Sequence, residues 1–178
     1  MKVLVTGGSG FLGSHVADIL DDLGHKVTIL DKSKSKWLRE SQKFIEGNIE
    51  NYKTLEEAIT NQDVVYHFAG IADIDDCLKN PIDTAKINVI ATVKLAEICF
   101  KKNIKRLLFG STVYVYSRSG SFYRASKQSA ESFLEIYKDL GLPITILRYG
   151  SLYGPRAGYN NSIKKILIQA IEKKHIIY

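Results

Sequence analysis

Cysteine is scarce in this chain of 178 residues, which contains only Cys77 and Cys99. Their spacing matches no metal-binding or redox motif, so we expect reduced thiols, as is typical of cytosolic proteins. No apolar run approaches the length of a membrane span, and the first one, MKVLVTGG, is too short for a signal peptide. We therefore expect a cytoplasmic protein without a membrane partner.

Positive charge is in only small excess, with a net charge of +6. The basic residues are scattered, and their short clusters (Lys101, Lys102, Lys105, Arg106; Lys164, Lys165, Lys173, Lys174) are typical of solvated helix faces. A nucleic-acid partner is therefore not expected. Internal repeats, low-complexity stretches and linkers are also lacking. With 45% apolar residues, the chain is long enough for one well-buried domain.

Six short apolar segments rich in β-branched residues are predicted to be strands: 2–6, 26–30, 43–47, 63–69, 106–110 and 143–148. Segments of helical period lie between them. Strands that alternate with helices predict an α/β fold with a doubly wound parallel sheet. A last helix is predicted over 161–174, and HIIY at 175–178 is typical of the start of another strand, so we expect more protein beyond this point.

A glycine-rich turn, TGGSGFLG at 6–13, joins the first predicted strand to the first helix. Glycines at these spacings permit a tight turn and bring backbone N–H groups close to a pyrophosphate, which the N-terminus of the helix then faces. An ordinary structural turn is the alternative, but the position between a strand and a helix favours cofactor binding. The candidate contacts are Gly7, Gly10, Phe11, Leu12 and Gly13.

Asp31 ends the second predicted strand, eighteen residues after Gly13. A carboxylate at this place can accept hydrogen bonds from the adenosine ribose, and it repels the additional phosphate of NADP. We therefore predict NAD as the cofactor. The nearby Lys32, Lys34 and Lys36 leave NADP open, and a solvated aspartate at a strand end is the alternative.

Tyr123 precedes Lys127 by four residues at the start of a predicted helix, so the two side chains share one helix face. Moving a tyrosine pKa from about 10 towards 7 requires about 4 kcal/mol. One ammonium at about 4–6 Å supplies about 3–4 kcal/mol at an effective dielectric constant near 20. We therefore expect Lys127 to lower the pKa of Tyr123 enough to make it a base at neutral pH. The alternative is an ordinary exposed helix start.

Taken in order, these motifs resemble the extended short-chain dehydrogenases/reductases, and within them the NAD-dependent sugar-nucleotide epimerase/dehydratase family of UDP-glucose 4-epimerase-like enzymes. The resemblance covers essentially the whole chain. It is carried by TGGSGFLG, Asp31, HFAG at 67–70, STVYVYS at 111–117, YRASK at 123–127 and LYGPR at 152–156. The resemblance implies a Rossmann fold and NAD.

The resemblance also implies roles for single residues. Thr112 aligns with the catalytic Ser/Thr of the family, so Thr112, Tyr123 and Lys127 are the expected catalytic residues, and no metal is expected. Asn48 stands where the family has an aspartate near the adenine. The other implied cofactor contacts are Ile49, Phe68, Ala69, Gly70, Asn88 and Tyr149, together with Tyr123 and Lys127.

The reaction class is predicted from the two residues after Thr112. Dehydratases and decarboxylases of the family place an acidic residue there, whereas this chain has Val113 and Tyr114. We therefore expect a nucleotide-sugar 4-epimerase with a UDP-linked substrate. The alternatives are an NAD(P)-dependent dehydrogenase/reductase of the same family, or a cofactor-binding fragment that is inactive alone.

Three departures from the family concern the substrate. The loop between Thr112 and Tyr123 is short, Ser151 replaces an asparagine that contacts the nucleotide diphosphate, and a C-terminal substrate-binding portion is missing from the sequence. We therefore expect residues 1–178 to be the NAD-binding Rossmann domain at the start of a longer epimerase-type protein, with a partner subunit as the other option. The resemblance implies a homodimer at full length.

Overall fold

The computed structural model describes residues 1–159 and 161–174. Six strands form one sheet: β1 (Lys2–Thr6), β2 (Lys26–Asp31), β3 (Lys43–Glu46), β4 (Val64–His67), β5 (Arg106–Thr112) and β6 (Ile144–Tyr149). Their order is β3-β2-β1-β4-β5-β6, and each neighbouring pair is parallel. This is the strand order of the doubly wound dinucleotide-binding sheet, which confirms the predicted fold class.

Helices connect the strands: α1 (Phe11–Asp22), α2 (Tyr52–Ile59), α3 (Ile74–Lys79), α4 (Pro81–Thr84), α5 (Ala91–Lys101), α6 (Ser121–Asp139) and α7 (Ser162–Lys173). A π-helical turn (Ala85–Ile90) joins α4 to α5, and a 3₁₀ turn (Val113–Tyr116) follows β5. Among the described residues, no helix combines the length and the apolar character needed to cross a bilayer.

The two faces of the sheet are covered by different helices. On one face α2, α5 and α6 bury a large apolar cluster that includes Leu4, Leu55, Leu95, Phe109 and Leu134. On the other face α1 covers a smaller cluster that includes Val3, Val5, Ala17, Leu20 and Ile29. Burial of strands on both faces explains why they appear in the sequence as nearly continuous apolar runs.

All six strands end at the same edge of the sheet, and two of these ends, those of β4 and β5, differ from the prediction by two residues. β4 stops at His67, so Phe68 and Ala69, which were assigned to the strand, leave the sheet. β5 continues past residue 110 because Ser111 and Thr112 pair with β6. The strand predicted at 175–178 lies outside the described residues.

A buried chain of polar groups ties the sheet to the π-helical turn. The hydroxyl of Thr92 lies 2.8 Å from the carbonyl oxygen of Asn88, to which it donates. It therefore accepts from Nε2 of His67, at 3.0 Å, and Nδ1 of His67 is left to accept from the hydroxyl of Thr6, at 2.6 Å. His67 is thus neutral, and burial, followed by the nearby Lys127 ammonium, lowers its pKa to about 3.

We expect acid to destabilise the protein through His67. The folded state keeps the imidazole neutral down to about pH 3, whereas the unfolded chain protonates near 6.5. Stability is therefore fully retained above pH 6.5 and falls as the pH drops towards 3, by about 3 kcal/mol at pH 4. Urea unfolding of the wild type and His67→Gln at pH 7 and pH 4 measures this, because their difference in stability should shrink by that amount. A constant difference between the two pH values would contradict the assignment.

Candidate active site

The glycine turn after β1 brings α1 unusually close to the first strand. A Cβ atom on Gly13 would lie 2.1 Å from the carbonyl oxygen of Gly7, and one on Gly7 would lie 2.6 Å from the amide nitrogen of Ala69. Gly7 also has a left-handed backbone, with φ of +72°. Since a side chain is excluded sterically at both positions, this turn needs glycine.

The N-terminus of α1 is available to an anion. Its N-cap is Gly10, no side chain caps it, and its first turn carries no acidic residue. The first N–H groups of a helix have no intrahelical partner and carry the positive end of the helix dipole. The buried hydroxyl of Ser9 also has no hydrogen-bond partner in the turn. These donors fit the pyrophosphate of a dinucleotide.

Asp31 lies beside this turn at the end of β2. Its carboxylate accepts hydrogen bonds from the backbone N–H groups of Ser9, at 3.0 Å, and Lys32, at 2.7 Å. Both contacts hold the side chain at the edge of the cleft that the turn forms. A carboxylate has further lone pairs, so Asp31 can still accept from ribose hydroxyls.

Two adjoining hollows of about 390 and 430 Å³ follow the carboxyl edge of the sheet. They share Gly7, Gly10, Phe68 and Gly70 and therefore form one trough. The first is also lined by Asp31, Ile49 and Ala69, and the second by Phe11, Leu12, Gly13, Thr112, Tyr123, Lys127 and Tyr149. An elongated trough with an acid at one end and a tyrosine and a lysine at the other suits a dinucleotide.

Two of the predicted contacts do not line the trough. The Asn48 side chain is directed to Glu50. Its oxygen accepts from the backbone N–H of Glu50, and its nitrogen donates to the carboxylate of Glu50, both at 3.0 Å. Asn88 is buried in the π-helical turn, where it exchanges hydrogen bonds with the backbone of Ile71 and donates to Ser126 at 3.0 Å. Asn88 therefore fixes the Gly70–Ile71 segment, which lines the first hollow, against α6.

Thr112, Tyr123 and Lys127 come together in the second hollow, from β5 and the first turns of α6. The Lys127 ammonium donates to the carbonyl oxygen of Gly110 at 2.7 Å and lies 4.7 Å from the ring centre of Phe109. Burial lowers the pKa of Lys127 to about 8. A buried lysine with a lowered pKa at the mouth of a cleft is typical of a functional site.

The pKa of Tyr123 differs from the prediction. Burial raises it, and the hydrogen bond with Thr112 opposes that rise. The expectation that Lys127 lowers it is wrong for this arrangement, because the ammonium is directed to Gly110. The four-residue spacing places both side chains on one helix face but does not bring their polar ends together.

Sequence reasoning missed some of the residues that line the trough. Ser9, Gly47 and Ile71 line the first hollow, and Gly110 and Ser111 line the second. Ser9 lies inside the motif that was recognised, so its hydroxyl could have been included.

Nowhere in residues 1–159 and 161–174 do three or more His, Cys, Asp or Glu side chains gather as they would around a metal ion.

Known proteins are similar to this chain in sequence. The chain is 32% identical over 180 residues to a UDP-N-acetyl-alpha-D-glucosaminuronate decarboxylase of Bacillus cytotoxicus, covering 88% of this chain and 56% of that protein. It is 32% identical over 174 residues to a putative UDP-glucose 4-epimerase of Methanocaldococcus jannaschii, covering 86% of this chain and 57% of that protein. The chain thus spans a little over half the length of these curated relatives.

A solved structure is also similar to this chain over nearly its whole length. The UDP-glucuronic acid 4-epimerase of Bacillus cereus, in complex with UDP-glucuronic acid and NAD, superposes with a TM-score of 0.86 at 29% identity, covering 99% of this chain and 65% of that one. The model of the NAD dependent epimerase/dehydratase family matches residues 3–177. Because the match runs through the glycine turn, the sheet and the Tyr123–Lys127 pair alike, the chain belongs to the NAD-dependent epimerase/dehydratase family.

Proposed function

We propose that the complete protein is an NAD-dependent nucleotide-sugar 4-epimerase acting on a UDP-linked sugar. The observation that carries the proposal is the convergence of Thr112, Tyr123 and Lys127 in one hollow beside the glycine turn. The family is NAD-dependent, and NAD supplies the hydride acceptor and donor when it is bound. Asp31 would hold its adenosine ribose and the N-terminus of α1 its pyrophosphate.

Tyr123 would act as the base that removes a proton from a sugar hydroxyl. The Thr112 hydroxyl, whose hydrogen bond favours the tyrosinate, would hold the same sugar oxygen and relay its proton. Lys127 would turn from Gly110 to the nicotinamide ribose, and its ammonium would then add to the stabilisation of the tyrosinate. In the reverse step Tyr123 would return the proton to the sugar oxygen while the hydride returned to the opposite face of the carbon, so that the centre would be inverted with no net oxidation.

The two residues after Thr112 support an epimerase over the other reactions of the family. Val113 and Tyr114 have 46% and 37% of their surface exposed and carry no carboxylate. Elimination of water and loss of carbon dioxide both require further acid–base or electrostatic assistance beside the sugar ring. A simple dehydrogenase needs no such group either, so it remains the second candidate.

The Tyr123→Phe variant should lose at least about 10²- to 10⁴-fold in turnover, because general acid–base catalysis is worth that much. Its NAD affinity should stay close to that of the wild type. The measurement is product analysis of full-length protein with UDP-sugars and catalytic NAD, and Tyr137→Phe, at the far end of the same helix, is the control. Stoichiometric NADH would assign the dehydrogenase, and undiminished turnover in Tyr123→Phe would remove the tyrosine from the mechanism.

The Asp31→Asn variant should bind NAD about 10- to 100-fold more weakly, since hydrogen bonds to a charged group contribute about 1.5–3 kcal/mol. Its NADP affinity should not fall, because the repulsion of the additional phosphate is lost. Calorimetric titration with both cofactors measures the two changes. Glu46→Gln, at the position in β3 that pairs with Asp31, is the control. Wild-type protein that binds NADP as tightly as NAD would contradict the role of Asp31.

We further propose that the full-length protein is a homodimer that pairs through α6. Three apolar side chains at helical spacing, Phe133, Ile136 and Leu140, are 50%, 59% and 60% exposed. Phe122 and Ser129 continue this stripe towards the start of the helix, and none of the five residues is charged. A stripe of this kind is self-complementary across a two-fold axis, where each copy buries the face of the other.

The Ile136→Glu variant should convert the dimer to a monomer, because it would bury a carboxylate in the centre of the stripe. Light scattering coupled to size-exclusion chromatography of the full-length protein measures the mass. The control is Ile19→Glu on α1, which changes an equally exposed isoleucine outside the stripe. A wild-type monomer, or a dimer that persists in Ile136→Glu, would exclude this interface.

A further inference from the structure

An ion pair joins Glu131 of α6 to Arg148 of β6, close to the second hollow. Because that hollow holds Thr112, Tyr123 and Lys127, it is called the catalytic hollow below. Glu131 has only 6% of its surface exposed. One of its oxygens accepts from Nη2 of Arg148 at 2.8 Å and from Nε at 3.2 Å, and the other accepts from Nε at 3.1 Å. The carboxylate is thus held by the side of the guanidinium group in a two-point contact, a geometry with high directional specificity.

The same pair reaches two further elements. The hydroxyl of Ser111, at the end of β5, donates to the carboxylate of Glu131. The free nitrogen of the guanidinium, Nη1 of Arg148, donates to the phenolic oxygen of Tyr116, and the guanidinium carbon lies 5.0 Å from the centre of that ring. One ion pair therefore joins α6, β6, β5 and the 3₁₀ turn.

Each of these four residues is a neighbour of the catalytic hollow along the chain. Ser111 directly precedes Thr112, and Arg148 directly precedes Tyr149. Glu131 follows Lys127 by one helical turn. Tyr116 ends the 3₁₀ turn that Thr112 caps, because the Thr112 hydroxyl accepts from the backbone N–H of Tyr114 at 3.3 Å. A shift of the pair would therefore move the elements that carry the hollow.

Stability alone does not account for this arrangement. The Glu131 side chain is buried, which costs desolvation energy, whereas the Arg148 side chain is 33% exposed, so that solvent screens the attraction. Both effects leave the pair little net stabilisation. What such a pair supplies is a fixed geometry. The Tyr116 side chain, in addition, is 73% exposed and buries little apolar surface, so its bond to Arg148 contributes mainly position.

We propose that Glu131 and Arg148 are positioning residues that hold the Val113–Tyr116 turn, and with it the Thr112 hydroxyl, in register with Tyr123. The inference rests on the proposed function and adds residues that do not touch the substrate. Two further bonds reach this region: Gln128 donates to the carbonyl of Val115, within the turn, and Arg124 donates to that of Ser117, directly after it, both at 2.8 Å. Loss of Arg148 therefore releases the Tyr116 end of the turn and shifts the turn without unfolding the loop.

The test compares Arg148→Met, Arg148→Lys and Tyr116→Phe in the full-length protein. Arg148→Met should lower kcat about 10- to 100-fold, since a misplacement of about 1 Å can cost that much, while the NAD dissociation constant changes less than about twofold. Tyr116→Phe should show part of this loss in kcat. Arg148→Lys should also have a lower kcat than the wild type, because an ammonium cannot replace the planar guanidinium. Arg106→Met is the matched control, because Arg106 bridges β5 and β6 at the opposite end by donating to Thr145.

The pH profile of kcat separates positioning from a structural role. Tyr123 is faced by Thr112 of β5, Tyr114 of the turn and Cys77 of α3, with Lys127 on its own helix. If the Thr112 hydroxyl moves away, the tyrosinate loses a hydrogen bond, so the acid limb should shift to higher pH in Arg148→Met and not in Arg106→Met. An unshifted profile with unchanged kcat per folded molecule would overturn the proposal, even if the melting temperature falls.

A second measurement does not depend on turnover. The ultraviolet titration of Tyr123 in NAD-free protein, obtained as the difference between each protein and its Tyr123→Phe version, should have a higher midpoint in Arg148→Met and in Tyr116→Phe. If the wild type does not act on UDP-sugars, the proposed function fails while this titration still tests the positioning role. Equal midpoints in all proteins would overturn that role. Tyr116→Phe alters an exposed side chain, so it provides the result if Arg148→Met does not fold.

Discussion

The close approach of α1 to β1 is the constraint on which the rest of the site depends. With 2.1 Å between a Cβ on Gly13 and the carbonyl oxygen of Gly7, any side chain would push the helix away from the sheet. The helix would then no longer point its N-terminus along the carboxyl edge of the strands. Asp31 would also lose the backbone N–H of Ser9, which holds its carboxylate beside the turn. One glycine contact thus brings the N-terminus of α1 and the carboxylate of Asp31 together.

Burial of basic groups is the second feature that shapes this site. His67 and Lys127 have 1% and 6% of their surface exposed, and burial lowers the pKa of both. The imidazole can remain neutral because two threonine hydroxyls satisfy its nitrogens. The ammonium is satisfied by a carbonyl oxygen and an aromatic face. The Lys127 ammonium can therefore be buried here, whereas an ammonium without such partners would be too costly to bury in the core.

Local features of the sequence predicted the fold and most of the trough, because they act over a few residues. The β-branched runs marked the strands, and the glycine spacing marked the turn. What the sequence could not show depends on contacts between distant elements. The end of β5 is determined by pairing with β6, and the inward turn of Asn88 by the π-helical turn. The pKa of Tyr123 depends on burial and on the direction of the Lys127 side chain, and neither is a function of spacing.

Two hydrogen bonds hold the short loop between Thr112 and Tyr123 through its main chain. Arg124 and Gln128 of α6 bind the carbonyl groups of Ser117 and Val115, and a carbonyl is present whatever the side chain. The shape of the loop is therefore largely independent of the side chains at positions such as Val115 and Arg118. Substitutions at those positions should therefore alter the surface of the loop while the path of the chain between its two ends is kept.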